Sequence, residues 1–431
     1  MIAGARHAGV SDAGLVRWRT LEWWGAGLAL FLFSGGVLPL VMSGGSLDDS
    51  AKSKLRLLAL PAYLITLVLL YRCPQQLLIA VRRNLPLTLL LLLPFISILW
   101  SISGSITFRR AIGLLLSMAL SYLLAIRFSP GQIAALVAAA LVPCMFLSLA
   151  FAVALPHLGW MPADAVASGM RGVFIHKNIL GWSAGLCILA LIGVMDGGYL
   201  PRPVALLFIA VAAVCLIASS SMTSLLATVA AVALIPFYAA LRRNAGIGRT
   251  LLVLLFFQAM AIIGVYLAEF LVPTLEALGK DATLTGRVPL WRLVDAEIGR
   301  RLILGFGYQA FWTEANPEAW YIWGRVGWMA PNAHSGFRDV LLNFGLIGLV
   351  VLFVVIVRAV RQGAALYYLA PKEGWLWLNL VIAWFVVTNL AESVMLVQND
   401  FMFIIVATAI LSFGLRTPGG RTPSGIVPRP R

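Results

Sequence analysis

Val340-Leu341-Leu342-Asn343-Phe344-Gly345-Leu346-Ile347-Gly348-Leu349-Val350-Val351-Leu352-Phe353-Val354-Val355-Ile356-Val357 carries no charged residue. It is long enough to cross a bilayer, which takes about 20 apolar residues in a helix. A second largely apolar run of that length extends from Leu251 to Leu271. Between them, Val272 to Ser335 is polar and aromatic, passing through Lys280-Asp281-Ala282-Thr283-Leu284-Thr285-Gly286-Arg287 and ending on Pro331-Asn332-Ala333-His334-Ser335. A loop bearing Arg, His and Trp, held at both ends by membrane helices, is the place to look for chemistry.

The rest of the chain has the same character. Of 431 residues, 61% are hydrophobic and only 11% are charged, and mean hydropathy is +0.94. A soluble core does not absorb that composition, so the fold class is an all-α, polytopic membrane protein. The apolar runs are continuous rather than alternating, which argues against a β-barrel. The net charge of +15 punctuates the runs instead of gathering on one folded face, so nucleic acid is not an expected partner. Cys73, Cys144, Cys187 and Cys215 have no metal-ligand spacing, and neither disulfides nor a cofactor are expected.

Apolar runs place about twelve transmembrane helices, near 22–43, 55–71, 85–100, 110–126, 131–155, 178–195, 203–219, 222–241, 250–271, 336–357, 375–391 and 396–415. They divide the chain into a cytoplasmic leader (1–21), one transmembrane domain (22–415) and a disordered cytoplasmic tail (416–431). The domain includes one large external, periplasmic loop (272–335) carrying short helices. The leader lacks a small-residue cleavage site, so the first run reads as a retained helix. Putting the N-terminus in the cytoplasm leaves most basic residues inside, with few acidic ones (Asp12, Glu22, Asp196 and Glu373). The outer side then holds a near-even mix, as the positive-inside rule requires. Both termini are expected in the cytoplasm and the active face outside.

Several external groups can carry chemistry, and each has a plainer reading beside it. Arg171, His176 and Lys177 cluster where a span begins; they suit a lipid-borne phosphate or simply anchor the interface. Arg109 and Arg110 lie on the same face. Arg287 follows Gly286, which permits close approach to a ligand, though a lone loop Arg is also often just solvated. His334 has the pKa range of a general base, or is an interfacial histidine bonded to a carbonyl, with Asp339 one turn away to hold its ring. Trp291 and Trp312 belong to an aromatic cluster that suits sugar faces or an interfacial belt. Glu392, in Asn389-Leu390-Ala391-Glu392-Ser393, is a carboxylate at a helix end near the membrane.

In combination these segments resemble the O-antigen ligase and exopolysaccharide polymerase superfamily of bacterial inner membranes. His334-Ser335, nine residues and Gly345-Leu346-Ile347-Gly348 match that family's signature. Arg171 to Gly181, Thr283 to Trp291, Leu304 to Trp312 and Asn389 to Ser393 resemble segments of its exopolysaccharide polymerase branch. The resemblance implies a metal-independent glycosyltransferase that polymerises undecaprenyl-pyrophosphate-linked oligosaccharides on the periplasmic face. Its partners would be that donor, a saccharide or lipid-linked acceptor, the bilayer and other polysaccharide-assembly proteins. It implies catalytic roles for His334, Arg287 and Glu392. Pyrophosphate or sugar contacts would come from Arg171, His176, Lys177, Arg109, Arg110, Trp312 and Trp291. An O-antigen ligase acting on lipid A-core or protein shares these motifs. A transporter would instead set charges along a mid-bilayer path, and these runs carry few.

Overall fold

The computed structural model describes residues 12–43, 49–162, 168–256, 258 and 287–416. The leader up to residue 11, most of the expected 250–271 span, the loop from 272 to 286 with Leu284-Thr285-Gly286, and the tail from 417 lie outside the described residues. In chain order the helices are α1 (Asp12–Phe33), α2 (Leu38–Ser43), α3 (Asp49–Leu70), α4 (Pro74–Arg83), α5 (Leu85–Ile96), α6 (Gly104–Arg127), α7 (Pro130–Ala154), α8 (Pro156–Gly159) and α9 (Lys177–Asp196). They continue with α10 (Arg202–Ala218), α11 (Met222–Arg243) and α12 (Gly246–Phe256). The last are α13 (Arg287–Arg300), α14 (Pro317–Val326), α15 (Gly336–Leu369), α16 (Trp375–Ala391) and α17 (Phe401–Leu415). Among the described residues the β-structure is one isolated bridge, Trp160 to Met170.

The all-α membrane class holds, but the expectation of about twelve crossings does not. Among the described residues five helices are long and apolar enough to span a membrane: α6, α7, α9, α11 and α15. A sixth is reached only if the end of α3 and α4, bent by 100°, count as one broken span. Apolar length in the sequence is not helix length. The run at 22–43 is interrupted between α1 and α2, where Val37 takes φ +61°. α10, α16 and α17 stop at 15 to 17 residues, which at 1.5 Å per residue reach only about 22–26 Å.

The core forms around α9, α16 and α17. Every residue of α17 is buried, and Trp375, Trp377 and Trp384 of α16 are wholly so. Their indoles are satisfied inside: Trp377 donates to Pro130 O at 2.9 Å and Trp384 to Thr228 Oγ1 at 3.2 Å. Small residues let α9 approach these rings. A Cβ on Gly193 would lie 2.6 Å from the Trp377 ring, and one on Gly185 would lie 2.4 Å from Thr228 Oγ1. Lipid gives little hydrophobic drive for helix pairing, so close packing and buried polar bonds take that role.

α15 is broken at Gly345, whose φ of 60° and ψ of −153° only glycine tolerates. The break frees backbone groups, and the polar loop takes them up. Leu342 O accepts from Phe306 N at 2.6 Å and Asn343 O from Gly307 N at 3.1 Å. In return Leu346 N donates to Leu302 O at 2.8 Å and Ile347 N to Ile303 O at 3.4 Å. These are the groups that would otherwise have paired with each other along the helix, so each lost bond is replaced. Arg110 adds a bond to Gln309 O at 2.5 Å, and the buried Tyr308 hydroxyl donates to Leu396 O at 2.7 Å. The loop is thereby fixed to the helix ends.

Candidate active site

The N-termini of α9, α11, α13 and α15 meet the C-terminus of α16 around one carboxylate, Glu392. Asn389 sets its position: the Asn389 amide donates to Phe385 O at 2.8 Å and its oxygen accepts from Val394 N at 3.2 Å, folding the chain back after α16. Gly336 packs directly on this turn, since a Cβ there would lie 2.1 Å from Asn389 Oδ1. Gly336 N then donates to Glu392 O at 2.9 Å, and Ser335 N to Ser393 Oγ at 3.0 Å. The start of α15, just after His334, is thus tied to the Glu392 backbone and to Ser393 beside it.

Glu392 has a side-chain exposure of only 4%. Its Oε1 accepts from Arg287 Nη2 at 2.7 Å and Asn178 Nδ2 at 3.2 Å. Arg287 also reaches Thr223 Oγ1 at 3.4 Å. His334 Nδ1 stands 3.8 Å from the second carboxylate oxygen, Oε2, and this buried nitrogen has no hydrogen-bond partner. The residue sits at φ +47°, an uncommon conformation for a non-glycine, with its amide donating to Asn332 Oδ1 at 3.0 Å.

The two expected sugar-facing tryptophans support this turn. Trp291 donates its indole N–H to Ala333 O at 2.9 Å, and Arg338 covers its ring. Trp312 donates to Asp339 Oδ1 at 3.2 Å. Asp339 in turn accepts from Ala333 N at 3.1 Å, so it holds the backbone before His334.

His176 caps α9 by accepting Asn178 N at Nδ1, 3.2 Å away. Burial lowers its pKa, Glu392 opposes that shift, and Lys177 and His334 add to it. A capping acceptor must be neutral, so burial and hydrogen bonding agree. Lys177 donates to Ser168 O at 2.9 Å and Ser220 O at 3.4 Å.

The expected site residues therefore divide. Arg287, Glu392 and His334 come together, with His176 and Lys177 beside them. Arg171 is turned elsewhere: only 4% exposed, it donates to Leu158 O at 2.8 Å and His157 O at 3.4 Å, bracing α8. Arg110 pins the loop, and Arg109 is exposed. Asn178, Thr223 and Ser393 are additions; Asn178 and Ser393 lie inside segments already singled out, while nothing local marks Thr223. Among the described residues no three His, Cys, Asp or Glu side chains gather as a metal site requires.

Residues 206–353 match the family model described as O-Antigen ligase, a stretch that contains both Arg287 and His334. The chain is also similar to the exopolysaccharide production protein ExoQ of Rhizobium meliloti (strain 1021), with 34% identity over 209 residues. That alignment covers 46% of this chain and 47% of the relative, so it spans about half the length of either. By these two matches a part of this multi-pass membrane chain, residues 206–353, is similar to the O-antigen ligase family.

Proposed function

We propose that this protein is a glycosyltransferase of the bacterial inner membrane, acting without a metal. It would move a glycan from an undecaprenyl-pyrophosphate carrier to a hydroxyl acceptor. The observation that carries the reading is the grouping of Arg287, Glu392 and an unpartnered His334 nitrogen at converging helix ends. The acceptor oxygen attacks the anomeric carbon, the bond from that carbon to pyrophosphate breaks, and the acceptor proton passes to His334. Glu392, facing Nδ1, holds the imidazole in the tautomer that leaves the other nitrogen free as base. Arg287 meets the charge that develops on the departing pyrophosphate, aided by Lys177 and the helix N-termini. Arg287 is engaged by Glu392. Donor binding draws the guanidinium to phosphate and releases the carboxylate toward His334. A single displacement of this kind inverts the anomeric centre.

Ligation onto lipid A-core or protein is the first reading, supported by the description of the matched family model. Polymerisation of repeats is the second, supported by the similarity to an exopolysaccharide production protein. Analysis of surface polysaccharide in a deletion strain separates them. Full-length chains left on the lipid carrier indicate a ligase, and single-repeat products indicate a polymerase.

The site faces the periplasm in this reading. Arg242 and Arg243 end α11 at the opposite end from Thr223, and Arg358 reaches Arg83 O on that far side, in keeping with a positive cytoplasmic face. Reporter fusions that put residue 310 in the cytoplasm would refute the assignment.

A further inference from the structure

A second polar cleft lies at the far end of α13 from Arg287. Its volume is about 380 Å³, and its walls include Glu297, Arg300, Arg301, Phe306, Thr313 and Glu318. It is a structured surface. Glu297 is only 3% exposed and is paired with Arg300 Nη1 at 3.0 Å. The Arg301 guanidinium lies over the Phe306 ring, 5.0 Å from its centroid. Phe306 itself is anchored by its amide to Leu342 O at the α15 break.

The chemistry of these walls selects a class of ligand. The lining holds two guanidinium groups and two carboxylates, Arg300 paired with Glu297, so the cleft has no net charge to attract a phosphate or a cation. It offers fixed donors, acceptors and the Thr313 hydroxyl side by side. That mixture suits sugar hydroxyls, each of which both donates and accepts. A guanidinium already stacked on an aromatic ring loses little freedom when it bonds, and the volume is in the range of small-ligand sites.

Location adds the second argument. From Arg287 to Glu297 and Arg300, α13 rises about 15–20 Å at 1.5 Å per residue. This is the reach of a short oligosaccharide rather than of one sugar. We infer that the cleft is a saccharide subsite that holds an uncharged sugar unit of the glycan, several units away from the bond being made. The inference rests on the glycan-transfer reading above. Gripping the chain there would make the protein favour longer glycans over single sugars.

The test uses oligosaccharides released from the producing bacterium's own surface polysaccharide by partial acid hydrolysis, free of lipid and pyrophosphate. Binding to the full-length protein in nanodiscs is followed by calorimetry and by hydrogen exchange. The wild type is expected to bind the fragments and to gain protection across residues 297–318. Arg301→Ala and Thr313→Val should each weaken binding by about tenfold, whereas His334→Ala should bind as the wild type does. Fragments that fail to bind, that protect only other regions, or that bind both cleft variants undiminished overturn the subsite. The exchange measurement needs no variant, so a misfolded substitution does not spoil the test. Transfer with no fragment binding removes the subsite and leaves the glycosyltransferase reading. Fragment binding and protection at 297–318, with no transfer from any lipid-linked donor, removes that reading and leaves the subsite.

Discussion

Replacing Glu392 by glutamine should tighten donor binding while stopping transfer, two effects of opposite sign from one isosteric change. Arg287 Nη2 is held by Glu392 Oε1 at 2.7 Å, with side-chain exposures of 18% and 4%. A pyrophosphate that uses the same guanidinium must first break this bond. Hydrogen bonds to charged groups contribute roughly 1.5–3 kcal/mol, and neutral ones about 0.5–1.5. Glu392→Gln keeps an amide oxygen for Arg287 but lowers the competing interaction by about 1–2 kcal/mol. Donor affinity should therefore rise on the order of 5- to 30-fold. Turnover should fall by roughly 10²–10⁴, the scale of lost general-base assistance, because His334 no longer faces a carboxylate 3.8 Å away. The assay is binding of a lipid-linked donor to purified protein in nanodiscs, run beside single-turnover transfer. Weaker or unchanged donor binding would refute the competition between Glu392 and phosphate for Arg287. Undiminished transfer would remove Glu392 from the mechanism.

Arg287→Lys keeps the charge but cannot reach Glu392 and Thr223 at once, so transfer should drop by about 2–4 kcal/mol in barrier terms; a full rate in a steady-state assay would mean that charge alone suffices. His334→Ala should lower turnover and leave donor affinity nearly intact, and normal turnover would exclude it as base. Burial holds the His176 pKa below the usual 6.5, so the unfolded chain binds the extra proton first and this contribution to stability is lost as pH falls below 6.5. His176→Asn keeps a good helix cap without the titration, and its melting temperature should change less between about pH 7 and pH 5 than that of the wild type. Gly345→Ala places a Cβ 2.3 Å from Ile303 backbone atoms at a φ/ψ that costs about 1–3 kcal/mol; an unchanged melting temperature in detergent would contradict the account of the α15 break. Transfer should survive EDTA, and loss restored by Mg²⁺ would contradict an arginine in place of a metal.

Much of the site was legible because its residues announce themselves locally. His334 and Glu392 lie at the borders of apolar runs and Arg287 lies in the polar loop between two of them, so each is visible without any knowledge of packing. The same is true of the membrane class, which follows from composition alone. What those residues touch was not legible. Asn178 and Glu392 are 214 positions apart, and Arg287 and Thr223 are 64 apart; nothing local links them. Arg171, clustered with His176 and Lys177 where a span begins, looked like a phosphate ligand, and only the fold turned its guanidinium onto the carbonyls of α8.

The count of crossings failed for a related reason. Hydropathy reports whether each residue tolerates lipid, a property of the side chain. Crossing depends on whether consecutive residues keep one helical backbone, and that is settled by distant partners. Val340 to Val357 reads as an unbroken span and α15 is still long enough to cross, yet its helix is broken at Gly345, where Leu302, Ile303, Phe306 and Gly307, some forty positions earlier, supply the missing backbone bonds. The sequence by itself determined that the chain is helical and membrane-embedded. Tertiary structure alone decided which apolar runs form helices long enough to cross, and which cations gather at Glu392, because both depend on hydrogen-bond partners brought together only by folding.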